Sequence, residues 1–232
     1  MSVAIKNILI TIGIAAAAAL WTGCGIGTMG ALGGIASSET DAEKVIRAEF
    51  DLAKTDGNIV VIVSQPAWIK TPMDLRITLT DAINAALEEN AKIKKGRLTP
   101  YKDVLKCRMG LADEKRDDPF AIASKLNAQY VLAVQITDFE LSTFAEEDLF
   151  NGTMITKSRL FDAKGNNIWP QDANEAGRQI TVGFEDEKGT AELAVGKLAA
   201  ATAHCVTRYL YNCKKEKFRI AEEQKELDFY TW

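Results

Sequence analysis

The sequence predicts an α+β domain with a mixed, largely antiparallel sheet and about three helices packed on it. Several short stretches show the two-residue apolar alternation of strands, and others show helical apolar faces. Turns rich in Gly, Asn and Asp separate successive strands closely enough for hairpins. With 232 residues, 47% of them hydrophobic, the chain can bury one sizeable core, so we expect a single domain.

The amino terminus predicts an export signal that precedes this fold. Lys6 gives a weakly basic start, and residues 8–20 form an apolar segment shorter than the roughly 20 residues that cross a bilayer. Thr22, Gly23 and Cys24 follow. Two small residues before a cysteine are typical of lipoprotein signals, in which the thiol is acylated and the cysteine becomes the new amino terminus.

Two processing routes stay open, because Trp21 stands where such signals usually carry Leu and residues 17–19 offer an ordinary A-x-A-like cleavage site. We favour lipid attachment at Cys24 on the strength of the small residues before it. Two acyl chains on the thiol and a third on the amine would anchor the protein stably. Gly25 after the cysteine resembles lipoproteins sent on to an outer membrane. The expected location is therefore the outer membrane, with the domain facing the periplasm.

Composition divides the rest of the chain. Residues 25–38 are rich in Gly, Ala and Ser, which predicts a flexible tether, and the balanced charges after Lys214 predict a solvated tail. The terminal aromatics Phe229, Tyr230 and Trp232 either fold back on the domain, which we favour, or dock a partner. The predicted organisation is a signal (1–23), a lipidated cysteine with its tether (24–43), one α/β domain (44–213) and a charged tail (214–232).

The first half of the domain predicts two strands and a helix. Residues 45–52 alternate as a half-buried strand, a pattern also compatible with a helix start, and residues 59–63 form a wholly apolar run that predicts a buried central strand. Thr78 opens a helix with a capping box and an apolar face. Residues 92–97 predict a solvated basic connector, and residues 98–108 a short strand or turn segment.

A helix and a pair of hairpins are predicted next. Asp118 is a capping acid, and Pro119 occupies the first helical position, where a missing N–H is tolerated. The alternation in the longest strand places Phe139 on the same face as Val131. The expected elements are a strand at 130–141, an acidic loop at 142–150, a returning strand at 152–161, a turn at 162–167 and a further strand from Ile168.

The last elements are a strand over residues 180–184 and a long helix. The helix is expected to start near Glu187, and its apolar stripe continues as far as Cys213. An alanine run at 199–201 permits close packing of this helix on the sheet.

The stretch from Asp118 to Pro170 carries a recurrent pattern of turn formers and sheet-facing apolar residues: Ile122-Ala123, Leu126, Ala128, Tyr130-Val131, Ile136-Thr137-Asp138-Phe139, Gly152, Asp162-Ala163, Gly165 and Ile168-Trp169. This pattern resembles the domain shared by the amino-terminal part of the Tol-system protein TolB, the curli secretion lipoprotein, the lipoprotein activators of penicillin-binding proteins and uncharacterised envelope lipoproteins. The resemblance is greatest to the last group, which includes planctomycete proteins, and covers most of the mature chain.

The resemblance implies a mixed sheet covered by helices and an action through binding other envelope proteins or assembling with them. A pore-forming member needs additional alternating segments of about 9–11 residues to line a membrane barrel. Residues 142–150 are too few and too acidic to supply them. We therefore expect no pore.

The sequence predicts no catalytic residues, cofactor or metal. His204 is the only histidine and lies in an alanine-rich helix, which favours a packing role. Residues 146–148 are acidic but match no calcium loop. With a net charge of −4 and basic residues interleaved with acids, a one-sided positive field for nucleic acid or anionic lipid is not expected.

Three cysteines remain after Cys24. Cys205 and Cys213 are eight residues apart on the predicted helix, about 12 Å along its axis, which exceeds disulfide reach. A bridge from Cys107 to one of them stays open, although buried free thiols are favoured because cysteine packs as a small hydrophobe.

Two functions follow from these observations. The favoured one is a non-catalytic, lipid-anchored protein that acts as an interaction or assembly module of a cell-envelope complex and binds an envelope protein or itself. The alternative is a soluble periplasmic ligand-binding protein or enzyme whose site uses carboxylates such as Asp138 and Asp162. A pocket with convergent polar groups would favour the alternative.

Overall fold

The computed structural model describes residues 45–71, 73–144, 149–171 and 177–218, which belong to one compact unit. The predicted signal, Cys24, the tether and the terminal aromatics lie outside these residues. The strands are β1 (Val45–Ile46), β2 (Ile59–Ser64), β3 (Tyr130–Phe144), β4 (Leu149–Asp162), β5 (Asn167–Trp169), β6 (Arg178–Lys188) and β7 (Cys213–Lys214). The α-helices are α1 (Leu75–Glu89), α2 (Tyr101–Met109), α3 (Pro119–Lys125), α4 (Ala191–Thr207) and α5 (Lys215–Phe218).

The main sheet is mixed and largely antiparallel. Strand β3 pairs with β2 in parallel and with β4 antiparallel, and β4 pairs antiparallel with both β5 and β6. Strands β1 and β7 form a separate antiparallel pair. The predicted fold class and both predicted hairpins are confirmed, because β4 pairs antiparallel with β3 before it and with β5 after it.

Helices cover the two faces of the sheet unequally. The larger core lies between one face and helices α1 and α4, which bury Leu79, Ile83, Val195 and Leu198 against residues of all five sheet strands. A smaller core lies on the other face, where α2 and α3 cover only β2, the first part of β3 and the end of β4. The remainder of that second face is not covered by any described helix.

Strand β2 is buried, as predicted, but it lies at the edge of the sheet and not at its centre. Within the described residues it pairs only with β3, apart from a single bridge between Ile59 and Leu98. Thr99 N–H donates to Ile59 O at 3.0 Å, and Arg108 Nη2 donates to Val63 O at 3.2 Å. The segment leading to α2 and the helix itself thus protect an edge strand that helices bury on both faces.

A bulge in β3 contradicts the simple alternation expected for this strand. The register shifts between Ile136 and Asp138, so that two residues of β3 oppose one of β4. Phe139 consequently packs against the larger core, on the side of Ile136, and not on the face of Val131. The prediction for Phe139 was wrong because the bulge has no local sequence signal.

Several predicted boundaries were also wrong. Helix α1 starts at Leu75, because Asp74 and not Thr78 caps it: the Asp74 carboxylate accepts a hydrogen bond from Arg76 N at 3.0 Å. Residues 101–109 form helix α2, where a strand or turn was predicted. Helix α4 starts at Ala191 with Thr190 as its cap and ends at Thr207, short of Cys213.

The strand predicted at residues 45–52 is limited to Val45–Ile46. Beyond it, the N–H groups of Glu49 and Phe50 donate to Tyr209 O, and Leu52 N–H donates to Leu210 O. These bonds attach the amino-terminal segment to the turn after α4. That turn leads directly into β7. The segment predicted as the start of the solvated tail therefore contributes β7 and α5 to the domain.

Candidate functional site

The uncovered part of the sheet presents a polar face formed by β3, β4 and β6. After the bulge, the even-numbered residues of β3 point away from the larger core, and they lie beside odd-numbered residues of β4 and β6. The exposed or half-buried side chains of this face are Asp138, Glu140, Ser142, Asn151, Thr153, Ile155, Lys157, Gln179, Thr181 and Glu185. Most of them can donate or accept hydrogen bonds.

A shallow cleft of about 250 Å³ lies in this face. Glu140 and Ser142 line it from β3, and Glu185 lines it from β6. Gly183 lies opposite Thr153 between these walls, and its missing side chain leaves room on the outer face. The cleft thus combines two exposed carboxylates with hydroxyl and amide groups, which suits cationic or hydrogen-bonding groups of a partner.

Gly152 lies in the same region but faces the larger core. A Cβ atom at this position would be 2.9 Å from Leu198 Cδ1, 2.9 Å from Phe184 Cζ and 3.3 Å from Leu141 Cδ1. The glycine therefore lets α4 and Phe184 pack closely beneath the strand that forms the floor of the cleft.

An aromatic and charged cluster, here called the clasp, joins the two ends of the described chain. Its members are Glu49, Trp169, Arg178, Arg208, Tyr209 and Phe218. Trp169 Nε1 and Arg178 Nη2 both donate to the Glu49 carboxylate at 2.7 Å. Arg208 lies 4.9 Å from the centre of the Tyr209 ring and 4.5 Å from that of Phe218, and it also donates to Phe218 O. These contacts are favourable cation–π geometries.

The clasp and the cleft lie at opposite ends of the domain. Strands β2, β3 and β6 begin at the clasp end. Helices α1 and α4 finish there, because α1 follows β2, α4 follows β6, and each helix runs in the direction opposite to its strand. Glu185 lies seven residues along β6 from Arg178, about 23 Å. The chain enters the described domain at Val45, at the clasp end, so the cleft is directed away from that point.

The two carboxylates proposed for an enzyme do not form one site. Asp138 pairs with Ile155 and Asp162 pairs with Tyr130 on the same hairpin, eight β3 positions apart, which corresponds to about 26 Å. Asp138 is exposed beside the bulge, and its carboxylate accepts a hydrogen bond from Phe139 N at 2.9 Å. This bond accounts for an acid in an otherwise apolar strand.

Asp162 organises the turn between β4 and β5. Its carboxylate accepts hydrogen bonds from Asn166 Nδ2, Asn166 N and Lys164 N at 2.8–2.9 Å. These bonds to Asn166 and Lys164 hold the pKa of Asp162 below its ordinary value, because they favour the charged form. Asp162 therefore has a structural role in a turn.

The other residues considered for chemistry do not converge either. His204 is half-buried on α4, and the acidic residues 146–148 lie outside the described part of the chain. Among the residues that the structure describes, His, Cys, Asp and Glu form no group of three that could hold a metal ion.

Cys107, Cys205 and Cys213 are buried, and no disulfide joins them to one another. Cys107 belongs to the smaller core, whereas Cys205 and Cys213 belong to the larger one. The sheet separates these cores, so Cys107 cannot bridge to either of the others. Cys213 lies in β7 and not on α4, so the helical spacing expected between it and Cys205 was wrong.

A partly buried polar cluster lies between α1 and α2. Asp74 accepts from Arg76 Nε and Nη2 at 2.9 and 2.8 Å, and these bonds to Arg76 lower the pKa of Asp74. Burial raises the pKa of the nearby Tyr101 hydroxyl. Arg108 is 6% exposed, and the nearest carboxylate oxygen, on Asp117, lies 4.0 Å away. The sequence feature that could have indicated this cluster is the spacing of Tyr101 and Arg108, about two helical turns apart after Pro100.

The described residues thus form an α+β fold in which no described helix covers part of one polar sheet face. No family model matches the sequence, and no curated protein matches it closely enough to name a relative. Solved structures similar to it include lipoprotein GNA1162 from Neisseria meningitidis, with 17% identity over 63% of this chain and 95% of that one, at a TM-score of 0.39.

Two further similar structures are the PelC dodecamer from Paraburkholderia phytofirmans and the LpoB C-terminal domain from Salmonella enterica. The first has 15% identity over 72% of this chain and 97% of that one, at a TM-score of 0.41. The second has 16% identity over 59% of this chain and 88% of that one, at a TM-score of 0.35. TM-scores below 0.5 at such identities transfer no function to this chain.

The described helices also bear on membrane topology. None of those in the described part of the chain combines the length and hydropathy needed to span a bilayer.

Proposed function

We propose that this chain is a lipid-anchored protein of the bacterial cell envelope that acts without catalysis as an interaction or assembly module. Cys24 carries the lipid, the outer membrane holds it, and the domain faces the periplasm. The sequence resemblance to TolB-amino-terminal-like domains of envelope lipoproteins supports this class. The partner is another envelope protein or a second copy of the chain.

One observation carries the interaction role: the cleft lies at the end of the domain opposite Val45, where the chain from Cys24 enters. A partner-binding surface on an anchored domain is accessible when it is directed away from the anchor. The open polar face bears Glu140 and Glu185 at the cleft and no described helix covers it. Such a surface suits a protein segment with cationic and hydrogen-bonding side chains.

The alternative of a carboxylate enzyme or small-ligand binder is less well supported. Asp138 and Asp162 are about 26 Å apart, and each is engaged in a local backbone bond. The cleft, at about 250 Å³, is open and smaller than the roughly 300–1,000 Å³ of typical ligand pockets. A protein partner fits this open geometry better.

Photocrosslinking in cells tests the interaction role. A photoreactive residue at Thr153, in the cleft, should give one reproducible protein adduct, whereas the same residue at the exposed position Asp81 on α1 should not. Equal adducts at both positions, or none at Thr153 in an envelope-bound protein, would remove the cleft as the partner site.

Metabolic labelling tests the anchor separately. Labelled palmitate should enter the wild-type protein and not the Cys24→Ala variant. Equal incorporation in the two proteins, or no incorporation in either, would contradict acylation at Cys24.

A further inference from the structure

The loop after α1 presents three lysines at the clasp end of the domain. Lys92, Lys94 and Lys95 are exposed. Ala91, which precedes Lys92, and Ile93, which lies between Lys92 and Lys94, are each only 2% exposed. The buried residues fix the loop to the larger core, so its outward side is held in place. We call Lys92, Lys94 and Lys95 the basic ledge.

Further bonds hold the ledge to the segment through which the chain enters. Arg97 Nε donates to Gly57 O at 2.7 Å, and Arg97 Nη2 donates to Thr55 Oγ1 at 3.1 Å. Leu98, just beyond, is 7% exposed and bridges to Ile59. The ledge is therefore attached to residues 55–59, which continue from β1.

The ledge and the clasp lie at the same end of the molecule. Ile59 pairs with both Leu98 and Tyr130, and the Tyr130 ring lies 6.1 Å from the ring of Phe50. Phe50 in turn follows Glu49 of the clasp. A chain anchored through residues before Val45 thus carries the three lysines on its anchored side.

Lys92 has a backbone conformation that is uncommon for a residue with a side chain. Its φ is +57°, in the left-handed region, where a helix end normally carries glycine or asparagine. Within the described residues, none of the three ledge lysines forms an ion pair. The three positive charges of the ledge are therefore available to an external anionic group.

Acidic residues nearby form no ion pair with the ledge. Glu88 and Glu89 end α1 just before the ledge, but within the described residues neither lies at ion-pair distance from Lys92, Lys94 or Lys95. At the end of the sheet that holds the cleft, the open face bears the exposed acids Asp138, Glu140 and Glu185. The ledge lysines and these acids of the open face therefore lie at opposite ends of the domain.

We propose that the basic ledge docks on the anionic phospholipid headgroups of the membrane that holds the anchor. This proposal rests on the lipid anchor proposed at Cys24. Val45 lies 21 residues after Cys24, a stretch that spans at most about 75 Å, so the ledge can reach the bilayer surface. Docking fixes the orientation of the domain and directs the cleft away from the membrane.

Vesicles that carry the full mature, acylated chain test the docking. A fluorophore on Gly96→Cys would report contact, because a Cβ there has no heavy atom within 4 Å and the domain cysteines are buried. The quencher is a lipid with a nitroxide on its headgroup. Phosphatidylcholine vesicles are compared with vesicles containing equal parts phosphatidylcholine and phosphatidylglycerol. A second label, on Ser142→Cys, reports on the opposite end of the domain, where the cleft lies.

We expect quenching at position 96 in the phosphatidylglycerol vesicles only, with its loss in high salt and little quenching at position 142. Each lysine near an anionic surface strengthens association by up to roughly five-fold. Replacing all three ledge lysines by Gln should therefore lower the ratio of docked to undocked protein at least about ten-fold. The matched control replaces three exposed lysines elsewhere by Gln: Lys70, Lys106 and Lys188.

The outcomes separate the docking from the anchor. Two results would overturn the docking and leave the anchor in place, provided that the protein still floats with vesicles in high salt. One is equal quenching in both kinds of vesicle, and the other is an equal effect of the ledge and control variants. Protein that leaves the vesicles in high salt would overturn the anchor, and with it the docking that rests on it.

Discussion

Gly152→Ala should destabilise the domain, because the added methyl group has no room. The new Cβ would lie 2.9 Å from both Leu198 Cδ1 and Phe184 Cζ, well inside ordinary carbon contact. Leu198 is fully buried and Phe184 is 9% exposed, so neither side chain can retreat freely. Overpacking of this kind costs about 1–3 kcal/mol.

A smaller effect opposes this cost. Alanine restricts the unfolded chain more than glycine does, which contributes about 0.4–1 kcal/mol in favour of the variant. The net expectation is a loss of about 1–2 kcal/mol in the free energy of unfolding. For a domain of this size, that corresponds to a fall in Tm of roughly 2–8 °C.

Denaturant titration followed by far-UV circular dichroism, with thermal scans, measures the effect. Gly96→Ala is the matched control, since its Cβ would meet nothing within 4 Å and only the unfolded-state gain applies. A double-mutant cycle with Leu198→Ala should show a coupling of about 0.5–3 kcal/mol, because removing Leu198 relieves one clash. The reasoning fails if Gly152→Ala is as stable as Gly96→Ala.

Three further variants follow from local geometry. Lys92→Gly should stabilise the domain by about 0.5–1 kcal/mol by relieving its left-handed backbone, as measured by denaturant titration, whereas a gain of equal size for Lys94→Gly would contradict this origin. Trp169→Phe should cost about 2–3 kcal/mol in the same assay, through lost volume in the core and the lost bond to Glu49; no loss would show that the clasp adds nothing. The folded-state pKa of Asp162 is lowered, so the contribution of its carboxylate to the free energy of unfolding is present above its unfolded pKa of about 3.9 and is lost as pH falls below that value through the lower folded-state pKa. The Asp162→Asn variant should therefore lose less stability than the wild type between neutral and acid pH. Parallel profiles of stability against pH for the two proteins would refute this.

Local patterns explain why the sheet could be predicted. The hairpin from β3 to β4 and the turn at Asp162 depend on alternation and turn chemistry within a short stretch, which the sequence displays directly. The cap at Asp118 is equally local, since its side chain accepts from Phe120 N two residues later.

The wrong predictions involve contacts between distant segments. Helical spacing continued past Thr207 to Cys213, but pairing of Cys213 with Ile46 ends the helical path there. The bulge at Thr137 depends on register with β4 and carries no local signal. Helix α2 was missed because it spans only nine residues and its N-cap, Pro100, makes no side-chain cap bond that would signal a helix start.

The candidate sites were harder to predict for the same reason. The cleft takes Glu140, Thr153 and Glu185 from three strands, so only the register brings them together. The balanced charges of the sequence as a whole concealed a difference in position: Lys92 and Lys94 lie at the clasp end, whereas Glu140 and Glu185 lie at the cleft. That difference becomes visible once strand direction assigns each residue to an end.

Pairing of β1 with β7 also determines when the domain can finish folding. Val45 pairs with Lys214, and Leu52 shares the larger core with Leu210 near the end of the described chain. Closing such a long loop is slow and cannot begin before the later segment is present. A chain with the predicted export signal would therefore remain incompletely folded until its last segments had crossed the membrane, so that translocation of an unfolded chain and late closure of the fold are compatible.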